Sequence, residues 1–137
     1  MGRTKVKELR VSKRKMNELK RYCQKYHSWV VALEDINYLQ TSGVSFAKIK
    51  TSAIANPTAD ITEVRDVLIK NIYVVEKSAE LTDPVVGKLI FKAVTEGLGY
   101  DKLKAVADIP CSKPTYYKLY RKFFWILDKS RNLQMLK

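Results

Sequence analysis

Apolar side chains recur along this chain at steps of three and four residues, the spacing that gathers them on one side of an α-helix. Met16, Leu19, Cys23, Tyr26, Val30 and Leu33 follow one another at steps of 3, 4, 3, 4 and 3. They form an a/d seam about three heptads long, which Asn37 and Gln40 continue. Ile61, Val64, Leu68, Ile72, Val75 and Ala79 repeat the pattern at steps of 3, 4, 4, 3 and 4, and Tyr116, Tyr120, Phe123 and Leu127 at 4, 3 and 4. The chain is expected to be all-α: long amphipathic N-terminal helices, as a hairpin or coiled coil, followed by a C-terminal helix-turn-helix module.

Start and stop signals divide the pattern. Residues 1–11 are basic with little periodicity and read as a flexible arm. Ser12 can cap a first helix, and Gly43 can supply the left-handed residue beyond its end near Thr41-Ser42. The stretch 41–56, rich in Ser, Thr and Ala, reads as a linker. Asn56-Pro57 opens a second helix that reaches about Glu80. Asp83-Pro84 repeats that signal for a third, carrying Val85, Val86, Leu89, Ile90, Phe91, Ala93 and Val94 and ending at Gly97. A short fourth helix from Tyr100 to about Ala107 should turn Leu103 and Val106 inward. Pro110 removes a donor and biases Ile109 away from helix. Ser112 then caps a fifth helix, with Pro114 in its first turn, running to about Lys129 before a fraying tail. Residues 12–82 are read as the oligomerising part and 83–137 as the DNA-binding domain. The first two helices could fold on each other or pair between chains. The narrow first seam suits a homo-oligomer, with Asn37 either setting register or lying in a frayed last turn.

Charge narrows the function. The chain has 26 Lys and Arg against 14 Asp and Glu, a net of +12. Residues 1–25 hold ten basic and two acidic groups and residues 100–137 nine and three, while 26–99 hold seven and nine. Two cationic ends around a near-neutral middle suit surfaces that meet a polyanion. A charge that merely keeps the protein soluble has no reason to segregate. No apolar run approaches the ~18–20 residues of a membrane span, and the N-terminus lacks the apolar region of a secretion signal. Two isolated cysteines fit a reducing compartment, so a cytoplasmic location is expected. His27 is the only histidine, Cys23 and Cys111 lack the paired spacing of a zinc site, and the five glycines form no phosphate-cradling loop. No enzyme, cofactor, metal or small-molecule substrate is expected.

Residues 83–129 thus read as helix, short helix, sharp turn and longer helix, the unit that sets a recognition helix in the major groove. On the last helix Tyr116, Tyr120, Phe123 and Leu127, with Ile109, form an inward face against Leu103, Val106, Leu89 and Val94. Lys113, Tyr117, Lys118 and Arg121 turn outward, with Lys122 beside them and Ser112 and Thr115 near the helix N-terminus. Free N–H groups there suit a phosphate, and the lysines add mobile cations. An arginine can grip guanine with two hydrogen bonds. Tyr117 can donate to a phosphate or lie against a thymine methyl. The bland alternative is a merely solvated cationic face. Phe124, Trp125 and Ile126 extend the apolar surface round the helix, so some of them should pack on the N-terminal helices or a second subunit.

The stretch Ile109-Pro110-Cys111-Ser112-Lys113-Pro114-Thr115-Tyr116-Tyr117, continuing through Tyr120-Arg121-Lys122-Phe123-Phe124, resembles the C-terminal helix-turn-helix of bacteriophage late-gene regulators of the RinA and ArpU type. That module is itself similar to sigma-factor region four. The order of parts also matches: an N-terminal helix, a Ser/Thr-rich linker and an Asn56-Pro57-Thr58 start. The resemblance implies double-stranded DNA binding near promoters in a bacterial host, late-gene activation and RNA polymerase as a further partner. The turn from Ile109 to Thr115 is longer than the usual sigma-type turn, so Ser112, Lys113 and Thr115 are taken as a group. Rival readings are a small terminase-like DNA-recognition subunit and a non-catalytic protein that binds RNA polymerase, RNA or an acidic partner.

Overall fold

A computed structural model describes residues 10–42 and 61–135. All regular structure among them is helical: α1 (Lys13–Gln24), α2 (Tyr26–Ser42), α3 (Ile61–Thr82), α4 (Val86–Glu96), α5 (Tyr100–Val106) and α6 (Lys113–Met135). Residues 1–9 of the basic arm, Gly43, the linker beyond it and the Asn56-Pro57 start lie outside the described residues. Contacts among the described residues gather them into two compact units, one of residues 10–25 with 74–135 and one of residues 26–42 with 61–73. This differs from a division at residue 82, because α1 and the second half of α3 pack with the C-terminal helices.

The larger unit is built around α4, which packs on α1, α5 and α6, while α1 also packs on α6. Its boundaries follow local chemistry. The Ser12 hydroxyl accepts from Lys15 N–H at 3.2 Å and starts α1. Asp83 Oδ2 accepts from the N–H groups of Val85 (2.9 Å) and Val86 (2.7 Å), filling the capping role that Asp83-Pro84 signals. Gly97 closes α4 at φ 71°, and Leu98 N–H reaches back to the Ala93 carbonyl at 2.8 Å, a Schellman closure. At the other end of α4, Gly87 lies so close to the Ala79 carbonyl that any Cβ there would overlap it. Leu19, Cys23, Val75, Ile90, Leu103, Phe123, Phe124 and Leu127 are fully buried in this unit.

The single N-terminal helix expected from the seam is two helices. Lys25 keeps right-handed backbone angles, but its N–H bonds to the Tyr22 carbonyl at 3.2 Å, tightening the last turn of α1. At the other end of the chain, the expected fraying after Lys129 does not occur: α6 continues to Met135, roughly 35 Å of helix. Val106, expected inward, is 65% exposed, and Val85 is exposed just ahead of α4.

In the smaller unit, α2 and the first half of α3 share a cluster of Ile36, Ile61 and Leu68, flanked by Trp29, Ala32, Leu33, Leu39 and Val64. Asn37 is exposed, and its Oδ1 accepts from Arg65 Nε at 3.1 Å within the same unit. It does not lie in a frayed turn, since α2 continues to Ser42.

Candidate nucleic-acid interface

The last helix gets its position from both ends. At its start the Ser112 carbonyl accepts from Tyr116 N–H at 2.9 Å, and the Ser112 hydroxyl accepts from Thr115 N–H at 3.4 Å. The Ser112 and Thr115 hydroxyls are also bonded to each other at 3.0 Å. These two exposed side chains therefore serve the cap first. Further along, the buried Tyr116, Phe123, Phe124 and Leu127 lie within an arc of about 100° at 3.6 residues per turn. Phe124 packs edge-on against Tyr120 (5.0 Å) and Phe123 (5.1 Å), so its place is inside the larger unit, not on a partner.

On the opposite side of α6, Lys118, Arg121, Lys122, Trp125 and Lys129 occupy another arc of about 100°. Lys118, Arg121 and Lys129 are exposed, and Lys122 and Trp125 half-buried. Lys129 Nζ sits 5.7 Å from the Trp125 ring centroid. This stripe holds four cations, one indole and no acid. Trp125 was not expected on this face, although its spacing from Lys118, Lys122 and Lys129 (steps of 4, 3 and 4) carries that signal.

Tyr117 is half-buried in a ring cluster, 6.0 Å from Tyr100, 5.4 Å from Tyr116 and 5.8 Å from Tyr120 between centroids. Lys113 is exposed, with its Nζ 5.4 Å from the Tyr100 centroid. The cluster thus holds Tyr117 at the edge of the stripe, while Lys113, in the first turn, falls on the side of the buried arc, where cation–π attraction to Tyr100 restrains it. Burial raises the Tyr116 phenol, and burial, then Tyr117 and Cys23, pushes Tyr120 up to about 12. Both phenols therefore stay neutral at ordinary pH and add no negative charge beside the cations.

The structure also brings in α1, which the sequence reading treated as a separate oligomerising part. Lys20 Nζ lies 5.8 Å from the Tyr120 centroid. Lys15 Nζ pairs with Asp128 Oδ1 at 3.6 Å, Arg131 Nη1 with Glu18 Oε1 at 3.8 Å, and the Arg131 guanidinium covers the Tyr22 ring at 3.9 Å. No sequence spacing links residues 15–22 with 120–131.

No three His, Cys, Asp or Glu side chains among the described residues are grouped to hold a metal ion. Among the described residues, no helix is long and apolar enough to cross a membrane. Comparisons with protein-family models, curated proteins and solved structures gave no match to this chain.

Proposed function

We propose that the chain binds double-stranded DNA sequence-specifically through α5, the turn and α6, and regulates transcription of the phage late-gene type without catalysing a reaction. The observation that carries this reading is the outward stripe of α6: cations and one indole, with no acid, opposite a buried aromatic face. A helix so divided has one side committed to the core and the other free for a groove that admits one helix. Arg121 is the candidate for a guanine edge, with Lys113, Lys118 and Lys122 on phosphates. Tyr117 supplies a hydroxyl for a phosphate or a ring for a thymine methyl. Ser112 and Thr115 fix the helix start and leave its dipole toward the backbone. RNA polymerase contact belongs to the resemblance that the 109–124 stretch carries. Self-association belongs to the smaller unit, where Val31, Tyr38, Val67, Ile69 and Tyr73 are exposed around a thin core.

Selection of bound sequences from a random duplex pool tests the reading directly. It should enrich one short site, and Arg121→Ala should lose about 1–3 kcal/mol of discrimination at a single guanine in it. A pool without enrichment, with no duplex retarded at low salt, overturns the proposal. Sedimentation should show a species larger than the monomer, and a lone monomer removes the self-association.

A further inference from the structure

We infer that the outward face of α1 is a second phosphate-contacting surface, laid on the same duplex as the stripe of α6. The inference rests on the reading of α6 as the recognition helix. Residues 10–25 carry seven basic side chains and one acid, Glu18; α6 carries six and one, Asp128. Both acids are already paired, the half-buried Asp128 with Lys15 and the exposed Glu18 with Lys15 and Arg131. Both helices therefore present a cationic excess, with their acids already neutralised.

On α1, Leu19 and Cys23 are buried, while Lys13, Arg14 and Arg21 are exposed within an arc of about 100° on the far side. No ion pair among the described residues engages these three. On α6 the residues that meet α1 are Tyr120, Asp128 and Arg131. At 3.6 residues per turn Tyr120 and Arg131 fall within the buried arc, and Asp128 lies between that arc and the cationic stripe, next to Arg121. The α1 face and the stripe thus belong to one compact unit, joined beside Arg121 by the Lys15–Asp128 pair. A polyanion with charge at every 1.7 Å of axis fits such a pair of cationic faces. Phosphate contacts fix orientation without reading sequence, so α1 supplies affinity and α6 discrimination.

The test uses the full chain and labelled duplexes in a salt titration between about 50 and 200 mM, followed by anisotropy. K13Q/R14Q/R21Q, which keeps long side chains and helix propensity, should lower the log–log salt slope by roughly two to three. The loss should be equal on the selected site and on an unrelated duplex. K118A/R121A/K122A should also weaken binding, and most strongly on the selected site. Circular dichroism and melting temperature should match wild type for both variants. A wild-type slope for the α1 variant beside a weakened α6 variant overturns the inference and leaves the recognition-helix reading standing. Wild-type binding by the α6 variant overturns that reading, and with it the shared duplex. A loss confined to the selected site for the α1 variant also overturns the inference, since backbone contacts cannot produce it.

Discussion

The two units of this chain solve opposite problems. Among described residues the larger unit carries eighteen Lys and Arg against eight Asp and Glu, a net of +10, and the smaller carries two against four, a net of −2. Burial runs the same way. Among the described residues every fully buried side chain lies in the larger unit, whereas the core of the smaller is Ile36, Ile61 and Leu68, each retaining a few per cent of exposure. A dense core lets the larger unit bear mutual repulsion among its cations, since burying a Leu or Phe contributes about 1.5–3 kcal/mol and surface repulsion far less. The near-neutral unit has no such burden. Charge and core density were distributed together, which is what the proposed separation of binding from assembly would require.

The sharpest test of that contrast is to damage each core and watch each unit. The two tryptophans divide between the units, Trp29 in the smaller and Trp125 in the larger, so Trp29→Phe and Trp125→Phe backgrounds each report one unit. Phe123→Ala should cost about 3–5 kcal/mol in urea unfolding followed at Trp125. Ile36→Ala, in a site freer to collapse, should cost about 2 kcal/mol, followed at Trp29. If either change lowers both signals together, the units unfold as one and the contrast fails.

A smaller effect should come from alkali. Burial raises the Cys23 thiol from its usual 9.0 to about 12, with Arg131 opposing, and pushes Tyr120 up to about 12. The unfolded chain then releases protons that the folded one keeps, so stability falls as pH rises above 9 and continues to fall until about 12. Urea midpoints at Trp125 should decline across that window, and Cys23→Ala should shallow the decline. A flat profile would mean that these groups are open to solvent. The smallest effect is expected from Val106→Lys, within about 0.5 kcal/mol by the same unfolding measurement. A larger loss would show Val106 packed after all.

Where capping chemistry marks the boundary, the fold was legible in the sequence. Asp83, Gly97 and Ser112 stand at the ends predicted for them, because each satisfies backbone groups with its own side chain or its own φ. The break at Lys25 was not legible, because the heptad seam runs through it in register. Leu19 and Cys23 serve one core, while the residues after Lys25 belong to the other unit. Local periodicity records that a face is buried, not against what. Val106 fails for a related reason: it shares spacing with Leu103, but a helix of seven residues ends on it and only Leu103 reaches the interior. The cationic side of α6 could be read from spacing. The neighbouring face on α1 could not, since it depends on two segments roughly a hundred positions apart meeting in space.

Gly87 bears on all of this through a methyl group that is not there. Its bare α-carbon lets two stretches of main chain touch where α4 begins, and α4 is the post on which α1, α5 and α6 are hung. Adding one carbon at that point would wedge the post outward, and every helix resting on it would inherit the tilt. The alignment of the cationic faces proposed to meet a duplex is thus set partly by an empty space at the foot of α4.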